Sequence, residues 1–92
     1  MNTLEEKRNQ IDEIDAQMIA LFCQRMEIAK EIAVYKKAEH LPVRNEQREA
    51  DLLKRQIQKL SKDQSCYQDY IERFLRFEIS LSCELQEQMM EQ

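Results

Sequence analysis

From Leu4 to Leu41 the chain contains no residue that ends a helix. Glycine is absent from all 92 residues, and the one proline is Pro42. Thr3-Leu4-Glu5-Glu6 opens this stretch as a capping box, in which the Thr and Glu side chains each satisfy an early backbone group. Apolar residues then recur seven apart on two rows. Leu4, Ile11, Met18 and Ile32 form one row, and Ile14, Leu21, Ile28 and Tyr35 form the other. The spacing predicts one amphipathic helix from about residue 4 to about residue 37. Such a helix is ~50 Å long, whereas a compact globule of this chain length has a radius of gyration of only ~12 Å. The stripe therefore outruns any core that the chain builds alone, and a homodimer sharing the long helices is the economical cover.

Leu41-Pro42-Val43 breaks the pattern, because the residue before proline is pushed out of the helical region. Asn45 is a good N-cap for a second helix, with Glu46 favourable in its first turn and Leu53, Ile57 and Leu60 on its stripe. Ser61-Lys62-Asp63-Gln64 reads as a polar break. Ser65-Cys66-Tyr67-Gln68 reads as a second capping box that starts a third helix, with Tyr67, Ile71, Phe74, Leu75, Leu85 and Met89 on one face. The expected fold is all-α: one domain over residues 1–92, three helices, the first very long.

Composition removes many functions. Without glycine there is no phosphate-cradling loop, dinucleotide fingerprint or EF-hand loop. His40 is the only histidine, so no His pair or His-rich metal site is available. The cysteines Cys23, Cys66 and Cys83 are odd in number and show no C-x-x-C spacing, which speaks against a disulfide framework or zinc knuckle. Reduced thiols in a cytoplasmic protein are the expectation. The balance of 14 Lys+Arg against 18 Asp+Glu argues against nucleic-acid binding. The start of the chain lacks the apolar segment of a signal peptide, and no apolar run approaches the ~18 residues of a membrane helix. No metal, cofactor or membrane partner is expected.

The informative feature is polarity where the stripe should be apolar. Arg25 completes the row Leu4, Ile11, Met18, Arg25, Ile32, and Lys36 lies four residues after Ile32. Glu49 lies mid-stripe in the second helix, four residues before Leu53. In the third, Ser82 lies seven residues after Leu75, and Gln86 follows four later. Alone, an Arg or Lys at such a place commonly snorkels from the rim, and a Ser or Gln is often a tolerated core residue. Arg25, Lys36, Glu49, Ser82 and Gln86 together, from three helices, are harder to dismiss. Buried charges are costly unless paired, and here the cations outnumber Glu49. The missing partner is then an anionic ligand between helices. Arg25 and Lys36 are ~16 Å apart along the helix, within reach of one small molecule if both side chains lean inward. Arg8, at the stripe's edge, is ~25 Å from Arg25; it does not easily serve the same small site in its own chain, but in an antiparallel dimer it could reach the partner's site.

These residues resemble a known family. Arg8, the segment Arg25-Met26-Glu27-Ile28-Ala29, Lys36, the loop Leu41-Pro42-Val43-Arg44-Asn45-Glu46-Gln47-Arg48-Glu49, and Ser82-Cys83-Glu84-Leu85-Gln86 are similar to the all-helical chorismate mutases. The likeness covers nearly the whole chain and is strongest from Arg25 to Leu53. It implies an intertwined three-helix homodimer with two equivalent sites, and rearrangement of chorismate to prephenate on the route to phenylalanine and tyrosine. It implies that Arg25 and the partner chain's Arg8 bind the substrate's carboxylates, with Ser82 assisting. Lys36 and Gln86 would contact the ether oxygen, and Glu49 and the backbone at Asn45 the ring hydroxyl. The family usually has Asp where this chain has Asn45. Glu78 stands where an apolar residue is expected, and pairing with a site cation would accommodate it. A competing register of the third helix would put Ser80 and Glu84 in the site; an ungapped alignment of the preceding segment favours Ser82 and Gln86.

The implied reaction suits this residue set. A concerted sigmatropic shift needs no nucleophile, proton shuttle, metal or cofactor, and the chain shows no persuasive nucleophile–base pair. It needs a flexible dianion held in a compact chair, and donors for the charge that builds on the ether oxygen. One alternative on the same fold is a lyase taking isochorismate to salicylate and pyruvate, against which the Pro42-to-Glu49 motif favours the mutase. The other is a non-catalytic helical interaction module, whose stripe should be apolar or carry paired charges.

Overall fold

The computed structural model describes residues 3–91. Among them the chain forms four helices and no strand: α1 Leu4–Ala38, α2 Glu46–Gln58, α3 Lys62–Ser65 and α4 Gln68–Met90. Thr3 and Glu6 close the capping box of α1, with Glu6 N–H donating to Thr3 Oγ1 at 3.2 Å and Thr3 N–H to Glu6 Oε2 at 3.1 Å. At the other end His40 N–H bonds Lys37 O at 3.3 Å and Leu41 N–H bonds Lys36 O at 2.8 Å. This is the paired closure of a Schellman motif, which requires a left-handed residue just past the helix. In a chain without glycine, His40 takes that conformation, at φ 59°. Pro42 then prevents the helix from resuming. Asn45 caps α2 by accepting from Arg48 N–H at 3.0 Å.

The three expected helices are present as α1, α2 and α4, and the one-turn α3 is added between the last two. Two S-x-x-Q sequences stand back to back, at Ser61–Gln64 and Ser65–Gln68. The first forms the capping box, Ser61 with Gln64. The Ser65 hydroxyl donates back to Ser61 O at 2.8 Å, so it does not cap α4, which follows Tyr67 with no side-chain cap.

The molecule is long and thin, with a radius of gyration of 16.6 Å and extents of 57 × 28 × 14 Å. α4 packs against the C-terminal half of α1 on one side and α2 on the other. Val43, Leu53, Ile79 and Cys83 form the core, with Leu52, Leu75 and Met90 against it. The α1 face that packs is Phe22, Arg25, Met26, Ala29, Ala33 and Lys36, and its two fully buried residues are the alanines. Small side chains let helix axes approach closely, which is why the contact centres on them. The row Ile14, Leu21, Ile28, Tyr35, read as core from its period, lies roughly a quarter turn away and is exposed. Tyr67, just before α4, and Phe74 on it are likewise exposed, and Ile79 and Cys83 turn inward instead. Every residue from Thr3 to Leu21 is exposed, so the N-terminal half of α1 has little cover from its own chain. Among the described residues no helix is long and apolar enough to cross a membrane.

Candidate active site

The packed face of α1 carries two cations, Arg25 and Lys36, that reach α4. Arg25 Nη1 donates to Ser82 Oγ at 2.9 Å and, more weakly, to the backbone oxygen of Glu78 at 3.4 Å. Its Nε lies 3.3 Å from Glu78 Oε2. Lys36 Nζ donates to Gln86 Oε1 at 2.9 Å and to the backbone oxygen of Val43 at 2.6 Å. Three turns of α1, ~16 Å, separate the two cations, but only one turn of α4, ~6 Å, separates Ser82 from Gln86. The guanidinium and ammonium groups therefore converge. Ser82 and Gln86 are 8% and 6% exposed, polar side chains on the buried face of α4 because these cations satisfy them. Ser80 and Glu84, the competing pair, are exposed.

Hydrogen-bond arithmetic identifies what the cluster still offers. An ammonium has three donors, and two of Lys36's are used. Gln86 uses its carbonyl oxygen toward Lys36, which can only donate, so the amide orientation is settled by its partner. The Gln86 Nε2 group donates to nothing among the described residues, yet no buried side-chain nitrogen or oxygen there lacks a partner. Nε2 is therefore open to whatever enters. The Ser82 hydroxyl accepts from Arg25 and keeps its own proton to donate.

Glu49, on the first turn of α2, is held by Arg44 in a fork, Nε to Oε2 at 3.3 Å and Nη2 to Oε1 closer still. Its side chain is mostly buried while Arg44 is exposed. The hydrogen bond it donates to Glu49 is the largest of the effects that raise the Arg44 pKa above its already high ordinary value. Asn45 is exposed, and its side chain is committed to the α2 cap. A polar cavity of about 290 Å³ runs beside Arg44 and Glu49 over Leu53 and Ile79, with Arg76 on its rim. Cys83, next to Ser82 and packed in the core, feels the charges of Arg44, Glu49, Lys36 and Glu87. Burial pushes its thiol up and Arg44 pulls it part of the way back. It is thus held as a neutral thiol and makes a poor nucleophile. Among the described residues no group of three or more His, Cys, Asp or Glu side chains could hold a metal ion.

The structure thus gathers Arg25, Lys36, Ser82 and Gln86 into one cluster, with Glu49 on the neighbouring helix. It does not bring Arg8 there: Arg8 is exposed on the N-terminal half of α1, ~25 Å along the helix from Arg25. Sequence reasoning missed the Val43 carbonyl that helps fix Lys36, since every residue carries one. It also missed Arg44 as the partner of Glu49. The signal available there was the Arg44 and Glu49 pair straddling a helix start, close enough for a long Arg to fold back.

Comparison with curated proteins and with solved structures gives no match. The chorismate mutase type II family matches residues 7–87, a span that holds all of the candidate residues from Arg8 to Gln86. The chain belongs to that family, an all-helical one.

Proposed function

We propose that the chain rearranges chorismate to prephenate, a step toward phenylalanine and tyrosine, at a site built around Arg25, Lys36, Ser82 and Gln86. Membership of the chorismate mutase type II family supports this reading. The observation that carries it is the convergence of Arg25 and Lys36 on Ser82 and Gln86, which leaves an ammonium N–H and an amide N–H unspent side by side. Arg25 and Ser82 bind one substrate carboxylate. Lys36 Nζ and Gln86 Nε2 donate to the ether oxygen as its C–O bond breaks and charge accumulates there. Donors already fixed in place typically lower such a barrier by ~2.7–4 kcal/mol each. Glu49 and the backbone at Asn45 hold the ring hydroxyl. The rest of the catalysis is conformational, since closing the flexible dianion into a chair brings the reacting carbons together.

The site is completed by a second copy. The second carboxylate takes Arg8 from the partner chain, because Arg8 of the same chain is too far away. The apolar rows on residues 4–21 and a groove of about 470 Å³ between α1 and α4, walled by Met18, Leu21, Phe22, Phe74, Phe77 and Leu81, are the surfaces such a partner covers. The net charge of −4 opposes long-range capture of a dianion, so the cations at the site must overcome it locally.

Parallel assays test the reading: chorismate followed for prephenate, isochorismate for salicylate and pyruvate. Turnover of chorismate alone is expected. Turnover of isochorismate alone would replace the mutase with a lyase on the same site, and turnover of neither would leave a binding module.

A further inference from the structure

The least expected group in the cluster is Glu78. It stands on α4 one turn before Ser82, with a side chain only 15% exposed, and lines the apolar groove beside Phe22, Phe74 and Phe77. A carboxylate in such a wall is costly unless a cation meets it, and Arg25 is the cation that does. The contact has a second consequence, for Arg25 itself. Arginine carries a large rotamer freedom that must be removed before it can hold a ligand in one geometry. Here one turn of α4 grips it from three directions: the Glu78 carboxylate at Nε, the Glu78 backbone oxygen and the Ser82 hydroxyl at Nη1. Nη2 donates no hydrogen bond among the described residues. A guanidinium presents separate donor edges, so one carboxylate can sit at Nε while another is taken by the Nη side.

We infer that Glu78 is a positioning residue for Arg25, an inference that rests on the reading of this cluster as a dicarboxylate site. It holds the guanidinium from the Nε edge so that the Nη edge meets the substrate's carboxylate in one orientation. The cost is a negative charge near a dianion; the return is an arginine already fixed before the ligand arrives. The opposite arrangement would make Glu78 a competitor that the substrate has to displace, and the two differ in the sign of one measurement.

Glu78→Leu restores an apolar residue and removes the Nε contact. Glu78→Gln keeps an oxygen opposite Nε without the charge. Glu78→Asp keeps the charge but shortens its reach, and reports on positioning even if Glu78→Leu fails to fold. For each, KM and kcat on chorismate are measured beside the Kd of a bicyclic dicarboxylate that mimics the chair. A modest misplacement of Arg25 leaves its carboxylate contact weaker in ground state and transition state alike and so shows chiefly in KM, whereas deleting Arg25 removes one end of the clamp that closes the chair. Glu78→Leu and Glu78→Asp should raise KM and Kd by about tenfold, the scale of one lost charge-assisted hydrogen bond, and Glu78→Gln should recover most of this. A purely structural role would lower apparent kcat through loss of folded enzyme and leave KM unchanged, which would overturn the inference. So would a lower KM in Glu78→Leu, the mark of a competitor, or a Gln variant as weak as the Leu variant. Failure of the unmodified chain to bind the dicarboxylate would overturn the reading of the site itself, and the inference with it.

Discussion

Gln86 decides how the cluster responds to pH. Its oxygen is taken by Lys36, so its N–H is what it can give to an ether oxygen, and an amide gives it at any ordinary pH. A carboxyl group donates only when protonated, and an unperturbed Glu titrates near ~4.3. Gln86→Glu should therefore lose about 10²- to 10³-fold in turnover at neutral pH, the scale of a lost oxyanion donor. Activity should return as pH falls. Lys36, 2.9 Å away in the unmodified site, holds the new carboxyl ionised and so displaces the recovery to still lower pH. A kcat profile of Gln86→Glu that parallels the unmodified enzyme would remove Gln86 from the reaction. Cys83 gives a second pH-dependent readout. Burial raises its pKa, so at any pH below that value less of it is thiolate than of an exposed cysteine, and it should react more slowly. Timed alkylation at mildly alkaline pH should label exposed Cys66 well before Cys83; equal rates would contradict the burial of Cys83.

At the scale of elements, the turn from α1 into α2 sets the site, because it carries the Val43 oxygen that helps fix Lys36 and the cap that starts α2 ahead of Glu49. His40 holds a left-handed conformation that costs a residue with a Cβ about 1–2 kcal/mol and glycine almost nothing. Urea unfolding should rank His40→Gly above His40→Val by at least ~1 kcal/mol, since a β-branched residue fits that conformation worst. Asn45→Ala should cost about 1 kcal/mol through the lost cap. Asn45→Asp should keep both stability and turnover if the backbone, rather than the side chain, meets the ring hydroxyl.

These elements were unevenly legible in the sequence. α1 could be read from end to end because a capping box opens it and nothing breaks it before Pro42. Arg25, Lys36, Ser82 and Gln86 stood out because polar groups on an apolar stripe conflict with the local pattern. The face that α1 turns to α4 was not legible. Ala29 and Ala33 carry little hydrophobic weight, yet close packing selects them, and the larger Ile14, Leu21 and Ile28 stay outside. α3 was hidden by two adjacent capping signals of equal quality, of which only hydrogen bonding chooses one.

At the scale of the whole molecule, half of α1 lies largely outside the packing of its own chain. A radius of gyration of 16.6 Å, against ~12 Å for a compact chain of this size, reflects a helix that outruns its core. Leu4, Ile11, Ile14, Met18 and Ile19 are 43–66% exposed on the N-terminal half of α1. Sedimentation at working concentration should give about twice 11.1 kDa. A folded, active monomer would refute a site shared between chains. The most direct test joins the proposed shared site to its chemistry. Arg8→Ala and Arg25→Ala should each be nearly inactive on chorismate as purified. Mixed and allowed to exchange subunits, they form hybrids in which one site of two holds both arginines. Prephenate formation should then return to about a quarter of the unmodified rate, since half the dimers are mixed and half of their sites intact. No recovery after verified exchange would contradict the account, because it would place Arg8 outside the site that Arg25 serves.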